Sequence, residues 1–269
     1  MPAMAIHGTT SSAGKTIIAT ALCRIFADKE YSVAPFKAQN MSLNSYVIPE
    51  GEIARAQALQ AHAARIEPTA EMNPILLKPK AEHVSQVIVY GRAYADMNVG
   101  EYHEFVERHG RRIVEISLRH LASEYDLVIM EGAGSPAEIN ILQHDIVNVY
   151  PAKLVGAKCI LVHNIEYGSP LAYLFGTLSL LENERELYSG IIINKFRGES
   201  LDVSDLERIV GKPVLGVIPH MENLRLPVED SFDGEECDEE SIDESDDEID
   251  RLASVVSASM DVERVEASI

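Results

Sequence analysis

The sequence predicts an α/β fold built on a doubly wound parallel sheet. Short apolar runs alternate with helical patterns along most of the chain, which is typical of βαβ units joined by right-handed crossovers. The first apolar run, at residues 3–7, passes through a glycine-flanked loop directly into a helical pattern. A second run, at residues 126–130, is apolar throughout, as expected of a strand that is buried on both faces.

Hydrophobic periodicity predicts the other elements. We expect further strands at residues 32–36, 75–77, 87–90, 157–162, 189–193 and 214–218, all in the same parallel sheet. We expect helices directly after the first loop and at residues 53–66, 101–125 and 171–181. Residues 40–52 lack periodicity, which predicts a loop.

The composition is that of a protein with a substantial core, since 46% of its 269 residues are hydrophobic. No apolar run approaches the roughly 18 residues of a membrane span, and no charged-then-apolar leader opens the chain. We therefore expect a soluble, cytoplasmic protein. Cys23, Cys159 and Cys237 lack metal-ligand spacing, which favours reduced, mostly buried thiols.

The net charge of −20 is concentrated near the end of the chain. Residues 229–250 contain 14 acidic residues and no lysine or arginine. Such an arm disfavours nucleic acid or an anionic membrane as a partner. We predict one domain over residues 1–228 and an acidic, disordered tail over 229–269, with one short helix at 249–262.

The loop between Gly8 and Thr16 has the composition of a phosphate-binding loop. Only small or hydroxylated residues separate its two glycines, so main-chain N–H groups can surround an anion at the start of a helix. The spacer has five residues, one more than the common GxxxxGK[ST] motif. Lys15 would reach the outer phosphates and Thr16 would offer its hydroxyl to Mg²⁺. An ordinary glycine-rich turn is the alternative. The residues of the predicted cradle are Gly8, Thr9, Thr10, Ser11, Ser12, Ala13, Gly14, Lys15 and Thr16.

Polar residues follow several predicted strands, at the edge where parallel sheets bind ligands. Glu131 ends the apolar run at 126–130 and is followed by glycines, so it is a candidate Mg²⁺ ligand opposite the loop. A solvated glutamate in a turn is the alternative. Lys37 follows the second strand and Asn194 follows the strand at 189–193. For Lys37 taken alone, a surface lysine is an equally good interpretation.

Seven segments carry a family resemblance. In chain order they are GTTSSAGKT, APFKAQNMSLNS, GEIARAQALQAHAARIEPTAEMNPILLKP, QVIVYGRA, EGAGSPAEINI, INKFRG and GVIP. Together they resemble the ATP-binding half of the cobyric acid synthase family, which is related to dethiobiotin synthetase and to cobyrinic acid a,c-diamide synthase. The resemblance extends to about Asp230. It implies a P-loop NTPase fold of the dethiobiotin synthetase type.

The resemblance also implies an activity, two cofactors and a set of site residues. The implied reaction is amidation of peripheral carboxylates of a corrinoid, in which ATP with Mg²⁺ phosphorylates a carboxylate and ammonia displaces the phosphate. Lys15 and Lys37 would flank the phosphoryl group, with Lys37 facing the substrate carboxylate. Thr16, Glu131 and Glu52 would hold Mg²⁺, although a glutamate near a helix N-terminus is common for dipole reasons alone. Asn194 would contact the adenine edge with Pro219 nearby. The corrinoid side would be lined by Gln39, Asn40, Asn44, Asn73 and Lys78, whose alternative role is to cap turns.

Two features depart from the family pattern. Ser12 stands where many relatives carry an acidic residue. A glutaminase half would need a cysteine nucleophile on a strand-to-helix elbow and a later His-x-Glu pair, and no cysteine here has that context. We interpret His220 and Glu222, which match the pair in letters only, as a coincidence. The expected ammonia source is therefore outside this chain, as a separate glutaminase subunit or free ammonia. The alternative is that the sequence is one half of a longer protein, divided at the domain boundary.

Other interpretations remain open at the level of sequence. The chain could be a non-ligase P-loop ATPase or a regulatory subunit, since fold does not fix function. It could also amidate another tetrapyrrole or a small carboxylate. Dethiobiotin synthetase itself is disfavoured by the QNM and RAQALQA segments. A homodimer is expected by analogy with relatives that complete their sites across subunits, and the acidic arm would dock a basic glutaminase or maintain solubility.

Overall fold

The computed structural model describes residues 2–138, 145–222, 224, 226, 242 and 245–269. Its strands are β1 (Ala3–Gly8), β2 (Val33–Phe36), β3 (Gln39–Met41), β4 (Ser45–Ile48), β5 (Gly51–Ala54), β6 (Ile75–Ala81), β7 (Val84–Val89), β8 (Arg92–Asn98), β9 (Leu127–Glu131), β10 (Lys158–Asn164), β11 (Tyr188–Phe196) and β12 (Val214–Pro219). Its α-helices are α1 (Lys15–Asp28), α2 (Arg55–Ala63), α3 (Val99–Phe105), α4 (Arg111–Glu124), α5 (Val149–Val155), α6 (Pro170–Leu180), α7 (Ser204–Val210), α8 (Asp246–Ala258) and α9 (Val262–Glu266).

The main sheet has six strands in the order β12-β11-β10-β1-β9-β2, and every neighbouring pair is parallel. This confirms the predicted doubly wound α/β class. β1 lies in the interior of the sheet, between β10 and β9. The loop that follows β1 therefore opens beside the carboxyl ends of both neighbours, which is where such sheets bind ligands.

The core has two layers because β1 is buried on both faces. Met4 and Ile6 belong to the apolar cluster that includes residues of α1, α2 and α8, whereas Ala3 and Ala5 belong to the cluster that includes residues of α4 and α6. Alternate side chains of a strand point to opposite faces, so a strand in this position has to be apolar throughout. The buried strands of the main sheet were predicted for this reason.

A second sheet differs from the prediction. Its strand order is β3-β6-β7-β8, and the β6–β7 and β7–β8 pairs are antiparallel. The segments predicted at 75–77 and 87–90 belong to this sheet and not to the main parallel one. The reason is the length of their connections, because two residues can close a hairpin but cannot form a parallel crossover. At one of these turns Tyr90 and Gly91 both have positive φ, as a tight hairpin requires.

The predicted loop at 40–52 also contains regular structure. Residues 39–41 form the edge strand β3, and β4 pairs with β5 as an antiparallel hairpin. The helix predicted at 101–125 is confirmed, with a π-helical turn over Val106–Gly110 between α3 and α4. The short helices α5 and α7 were not predicted. None of the helices in the described ranges has the length and apolar character needed to cross a membrane.

The end of the chain requires a correction. We expected residues 229–269 to be a disordered tail with one short helix at 249–262, but α8 packs on α1 and buries Ile249, Leu252 and Val256 in the core. These residues are three and four positions apart, so they form the apolar stripe of an amphipathic helix. The many acidic residues around them made this pattern hard to recognise in the sequence. Arg24 of α1, itself buried, forms an ion pair with Asp246. The helices α8 and α9 therefore belong to the domain predicted to end at 228, while residues 229–241 lie outside the described residues.

Candidate functional site

The loop after β1 has the backbone of an anion cradle. A short 3-10 turn over Ser11–Ala13 leads to Gly14, whose φ of 96° is left-handed, and α1 begins at Lys15. A Cβ on Gly14 would lie 2.0 Å from the side-chain nitrogen of Asn194, and one on Gly8 would lie 2.8 Å from the carbonyl oxygen of Thr10. Both glycines are therefore required by close approach, and Gly14 also by its backbone angle.

The Lys15 side chain folds back over the loop. Its ammonium donates hydrogen bonds to the carbonyl oxygens of Thr10 and Ser11, both at 2.9 Å, and to that of Gly134 at 3.2 Å. Gly134 follows β9, so this one side chain connects the loop after β1 with the loop after β9. The ammonium held there lies at the cradle, and its contact with phosphate stays a prediction.

Three of the predicted site residues meet at one carboxylate. Glu131, at the end of β9, accepts a hydrogen bond from the Thr16 hydroxyl and one from the Lys37 ammonium, both on Oε1 at 2.8 Å. Its other oxygen, Oε2, accepts a hydrogen bond from Gln60 of α2 at 2.6 Å. Glu131 is 1% exposed, and both Thr16 and Lys37 are buried. The chain thus brings together a hydroxyl, a cation and an anion from three different elements.

The electrostatics of this cluster favour an ionised Glu131. Burial alone would raise the pKa of its carboxyl group. The charge of Lys37 and the hydrogen bonds from Lys37, Gln60 and Thr16 outweigh burial and hold the pKa below its ordinary value. A charged carboxylate is therefore available beside the phosphate loop.

The oxygens of Thr16 and Glu131 fit Mg²⁺. They are hard donors, they lie 2.8 Å apart, and they adjoin the anion cradle. Among the described residues, no group of three or more histidine, cysteine, aspartate or glutamate side chains is arranged to hold a metal. A small number of protein ligands is typical of Mg²⁺ sites that are completed by phosphate oxygens and water.

Glu52 lies in a different environment. It belongs to β5, whereas the sequence led us to expect it at the start of the helix, which begins at Arg55. Its carboxylate forms an ion pair with Lys78 and accepts a hydrogen bond from the Ser45 hydroxyl. Burial would raise the pKa of Glu52, but the hydrogen bonds from Lys78 and Ser45 lower it. Its assignment as a metal ligand stays a prediction, and this structure joins it to Lys78 instead.

The predicted corrinoid-side residues fall into separate places. Asn40 is buried and donates to Gln57 of α2 at 3.1 Å, while Gln39 accepts a hydrogen bond from Tyr102 at 2.6 Å. Gln39 and Tyr102 also line an apolar cavity of about 420 Å³ between the second sheet and α3. Asn44 is exposed, and its main chain is held by Ser42.

Asn73, also predicted for the corrinoid side, is bonded to the main chain in this structure. It is 1% exposed, and its amide group bonds to the main chain of Ala54, Lys37 and Ile75. The donors and the acceptor of this side chain are taken by the backbone in this structure, and its assignment to the corrinoid side stays a prediction. Asn73 also fixes the main chain from which Lys37 extends.

Asn194 lies against the cradle. Its side-chain nitrogen donates to the carbonyl oxygen of Ala13 at 3.0 Å, and the residue after it, Lys195, has a φ of 59°. On the next strand, Asn164 donates to the carbonyl oxygen of Ser12 at 3.4 Å. Two asparagines at neighbouring strand ends thus hold the loop, and the contact of Asn194 with adenine stays a prediction. Pro219 ends β12, in register with Phe196.

Two buried histidines behind the loop were not predicted. His7 shares a hydrogen bond of 2.8 Å with the Tyr188 hydroxyl, and His163 shares one of 2.9 Å with the Thr9 hydroxyl. Burial lowers the pKa of His7 to about 4 and also lowers the pKa of His163. Both rings are therefore neutral near pH 7. The sequence signal was weak, since a lone histidine in an apolar strand has no partner that sequence alone can identify.

Comparison with known proteins places this chain in a family. The model of the CobQ/CobB/MinD/ParA nucleotide binding domain (CbiA) matches residues 4–231. A probable cobyric acid synthase from Methanocaldococcus jannaschii is 55% identical over 232 residues, which are 84% of this chain and 47% of that protein. A cobyric acid synthase from Pelotomaculum thermopropionicum is 50% identical over 242 residues, 88% of this chain and 46% of that protein. The chain spans about half the length of the curated relatives it matches.

Solved structures resemble the chain at low sequence identity. A ParA family ATPase from Chlorobium tepidum TLS aligns with a TM-score of 0.49 at 16% identity, over 83% of this chain and 85% of that chain. The predicted class of P-loop nucleotide-binding domain is confirmed by the family model. The finer assignment to the dethiobiotin synthetase type stays a prediction.

Proposed function

Since the chain belongs to the CobQ/CobB/MinD/ParA nucleotide-binding domain family, we propose that it is an ATP-dependent amide ligase that acts on a corrinoid. The substrate we propose is cobyrinic acid a,c-diamide, whose peripheral carboxylates are amidated to give cobyric acid. The names of its relatives support this substrate. ATP and Mg²⁺ are the cofactors, and the ammonia comes from outside this chain, from a separate glutaminase or from solution.

One observation carries the proposal, namely the meeting of Thr16, Lys37 and Glu131 beside the cradle. An ATP-dependent ligase has to bring an anionic carboxylate against an anionic phosphate, which requires cations on both sides of the transferred group. Lys15 and Lys37 are two such cations on neighbouring loops. A nucleotide switch would have no need of Lys37 in this place.

The proposed reaction has two steps. In the first, a substrate carboxylate oxygen forms a bond to the γ-phosphorus of ATP and the bond to the bridging oxygen of ADP breaks. In the second, ammonia attacks the carbon of the acyl phosphate, inorganic phosphate leaves, and the nitrogen loses a proton to give the amide. Lys15 would stabilise the charge on the phosphoryl group, and Lys37 would orient and neutralise the incoming carboxylate.

Thr16 and Glu131 would hold Mg²⁺, and Glu52 is a further candidate. When bound, the ion would neutralise part of the negative charge of the phosphates. Glu131 has a second task in this proposal, because its ion pair keeps the Lys37 ammonium beside the cradle. Gln39, Asn40, Asn44, Asn73 and Lys78 are proposed for the corrinoid side, and a homodimer is proposed by analogy with relatives.

The test is ATP turnover by the purified chain with Mg²⁺ and ammonium chloride, with and without cobyrinic acid a,c-diamide, followed by the mass of the corrinoid. We expect stepwise mass changes that match replacement of a carboxyl by an amide, and their loss in Lys15→Ala. Nucleotide binding without corrinoid-stimulated turnover at high ammonium would overturn the ligase proposal and favour an ATPase with a regulatory role.

A further inference from the structure

The two oxygens of Glu131 have different partners. Oε1 faces Thr16 and Lys37, the residues assigned above to the metal and the substrate carboxylate. Oε2 faces the opposite way, toward α2, and accepts the 2.6 Å hydrogen bond from Gln60. A second glutamine, Gln57, approaches the same oxygen at 3.4 Å. One oxygen is thus directed at the proposed chemistry while the other is held by the scaffold.

The amide that holds Oε2 is part of a chain of three. Asn40 of β3 donates to Gln57 at 3.1 Å, Gln57 donates to Gln60 at 3.4 Å, and Gln60 donates to Glu131. An ionised carboxylate can only accept hydrogen bonds, so Gln60 has to present its NH₂ group to Glu131. Its oxygen is then free to accept from Gln57, whose own oxygen accepts from Asn40. The carboxylate therefore fixes the orientation of every amide in the chain.

Burial makes these amides unusual. Gln57 and Gln60 are both fully buried, in a helix whose other buried residues are alanine and leucine. Burying an amide is unfavourable unless it is hydrogen-bonded, and an apolar side chain would fill the same space without that requirement. Packing alone therefore does not explain two glutamines at these positions. Their common feature is that both point at Glu131.

We propose that Gln60 is a positioning residue for the Glu131 carboxylate, supported by Gln57 and Asn40. The torsion that rotates a glutamate carboxylate is broad and has no strong preference of its own. With Oε2 held by Gln60, Oε1 stays directed at the Thr16 hydroxyl, where Mg²⁺ would bind. This inference rests on the proposed function, because it assigns a task to Gln60 only if Glu131 holds the metal.

The test compares Gln60→Met with the wild-type chain. Methionine has nearly the same volume but cannot donate to Oε2. We measure binding of a fluorescent ATP analogue as a function of Mg²⁺ concentration, together with binding in the absence of Mg²⁺. We expect the Mg²⁺ concentration at half-saturation to rise by about tenfold, as is typical when the partner of a metal ligand is lost. Binding without Mg²⁺ is expected to stay within about twofold, because the cradle is intact.

A matched control separates positioning from stability. Ser117→Ala also removes one hydrogen bond of a fully buried side chain, the bond that the Ser117 hydroxyl donates to the hydroxyl of Tyr90. We expect it to lower the unfolding temperature without shifting the Mg²⁺ dependence. Gln57→Met is expected to give a smaller shift than Gln60→Met, since its bond to Oε2 is longer.

The outcomes distinguish the two proposals. If Gln60→Met binds Mg²⁺ and the analogue like the wild type, the positioning role is overturned and the proposed function stands. If the Ser117→Ala control shifts the Mg²⁺ dependence as much as Gln60→Met, the effect is one of stability and the positioning role is again overturned. If nucleotide binding by the wild type does not respond to Mg²⁺ at all, the metal assignment of Glu131 fails and the inference fails with it.

Discussion

The two ends of the candidate site are built differently. At the phosphate-loop end, Lys15, Thr16, Lys37 and Glu131 are each less than a tenth exposed and are hydrogen-bonded to one another or to the main chain. At the second-sheet end, Glu52 and Lys78 pair with each other, and both side chains are about a quarter exposed. The first end is ordered around a buried charge, and the second lies partly in water.

The difference predicts where substitutions matter most. A buried ion left without its partner is costly because water cannot replace the lost interaction. A partly exposed pair is screened by solvent and contributes little to stability. We therefore expect large effects on chemistry and stability at the loop end, and effects confined to substrate affinity at the second-sheet end.

The largest effect is expected for Lys15→Ala. It removes the ammonium that spans the loops after β1 and β9, and we expect kcat for ATP turnover to fall by about 10³-fold. Steady-state kinetics of phosphate release measure it. The matched control is Lys80→Ala, which removes an exposed lysine paired with Asp96 on the second sheet. A fall of less than tenfold in Lys15→Ala would show that the loop is not the phosphate site.

The second-largest effect is expected for Lys37→Met, which leaves the Glu131 carboxylate buried beside an apolar side chain. We expect kcat to fall by about 10²-fold and the free energy of unfolding to fall by about 3 kcal/mol. Turnover assays and urea denaturation measure the two changes. Lys78→Met, at the other end, serves as the control, with a loss of less than about 1 kcal/mol. Equal losses in both variants would contradict the comparison.

A pH effect of intermediate size is expected from His7. Its pKa of about 4 in the folded protein lies below the unfolded value of 6.5, so the unfolded chain binds more protons between these values. The contribution of His7 to the free energy of unfolding is therefore fully present above pH 6.5 and is lost as the pH falls toward 4. Between pH 7 and pH 5 we expect His7 to account for a loss of about 2 kcal/mol.

This effect is measured by urea denaturation of the wild type and of His7→Gln at both pH values. Subtracting the change in the free energy of unfolding of the variant from that of the wild type removes the contribution of His163, which both proteins share. An NMR titration of the His7 ring provides a second measurement that does not depend on the variant. An imidazole that titrates near 6.5 in the folded protein would refute the prediction.

The smallest effect is expected for Glu52→Gln, which breaks the partly exposed pair with Lys78. We expect KM for the corrinoid to rise severalfold, kcat to stay within about twofold, and stability to change by less than about 1 kcal/mol. The measurement is the amidation assay over a range of corrinoid concentrations. A fall in kcat of the size expected for Lys37→Met would instead support Glu52 as a metal ligand.

The main sheet and the loop end could be predicted because their signals are local. A run of apolar residues that ends in a glycine-flanked loop or a glutamate specifies both a buried strand and a polar group at its tip. Lys15, Thr16, Lys37 and Glu131 were found in this way. That Lys37 and Thr16 share one oxygen of Glu131 could not be predicted, because it depends on how three strands align.

The second sheet and the buried glutamines of α2 could not be predicted, for a different reason. The second sheet consists of short strands with mixed polarity, so periodicity alone gave a loop over 40–52 and two isolated runs. Gln57 and Gln60 lie within a family segment, but the sequence assigns them no role, because glutamine in a helix is more often exposed than buried. Their spacing of three places both on one face of α2, which becomes informative only once that face is known to be turned inward.

The packing of α8 on α1 bears on how this domain can be handled in the laboratory. The family model stops at residue 231, which makes that position an attractive point at which to shorten the chain. A chain cut there would lose α8 and leave apolar side chains of α1, the helix that begins at Lys15, open to water. Such a fragment is expected to self-associate. Fragments meant for binding or crystallisation should therefore retain residues through at least 266, the end of α9, whose Val265 is also buried in the core.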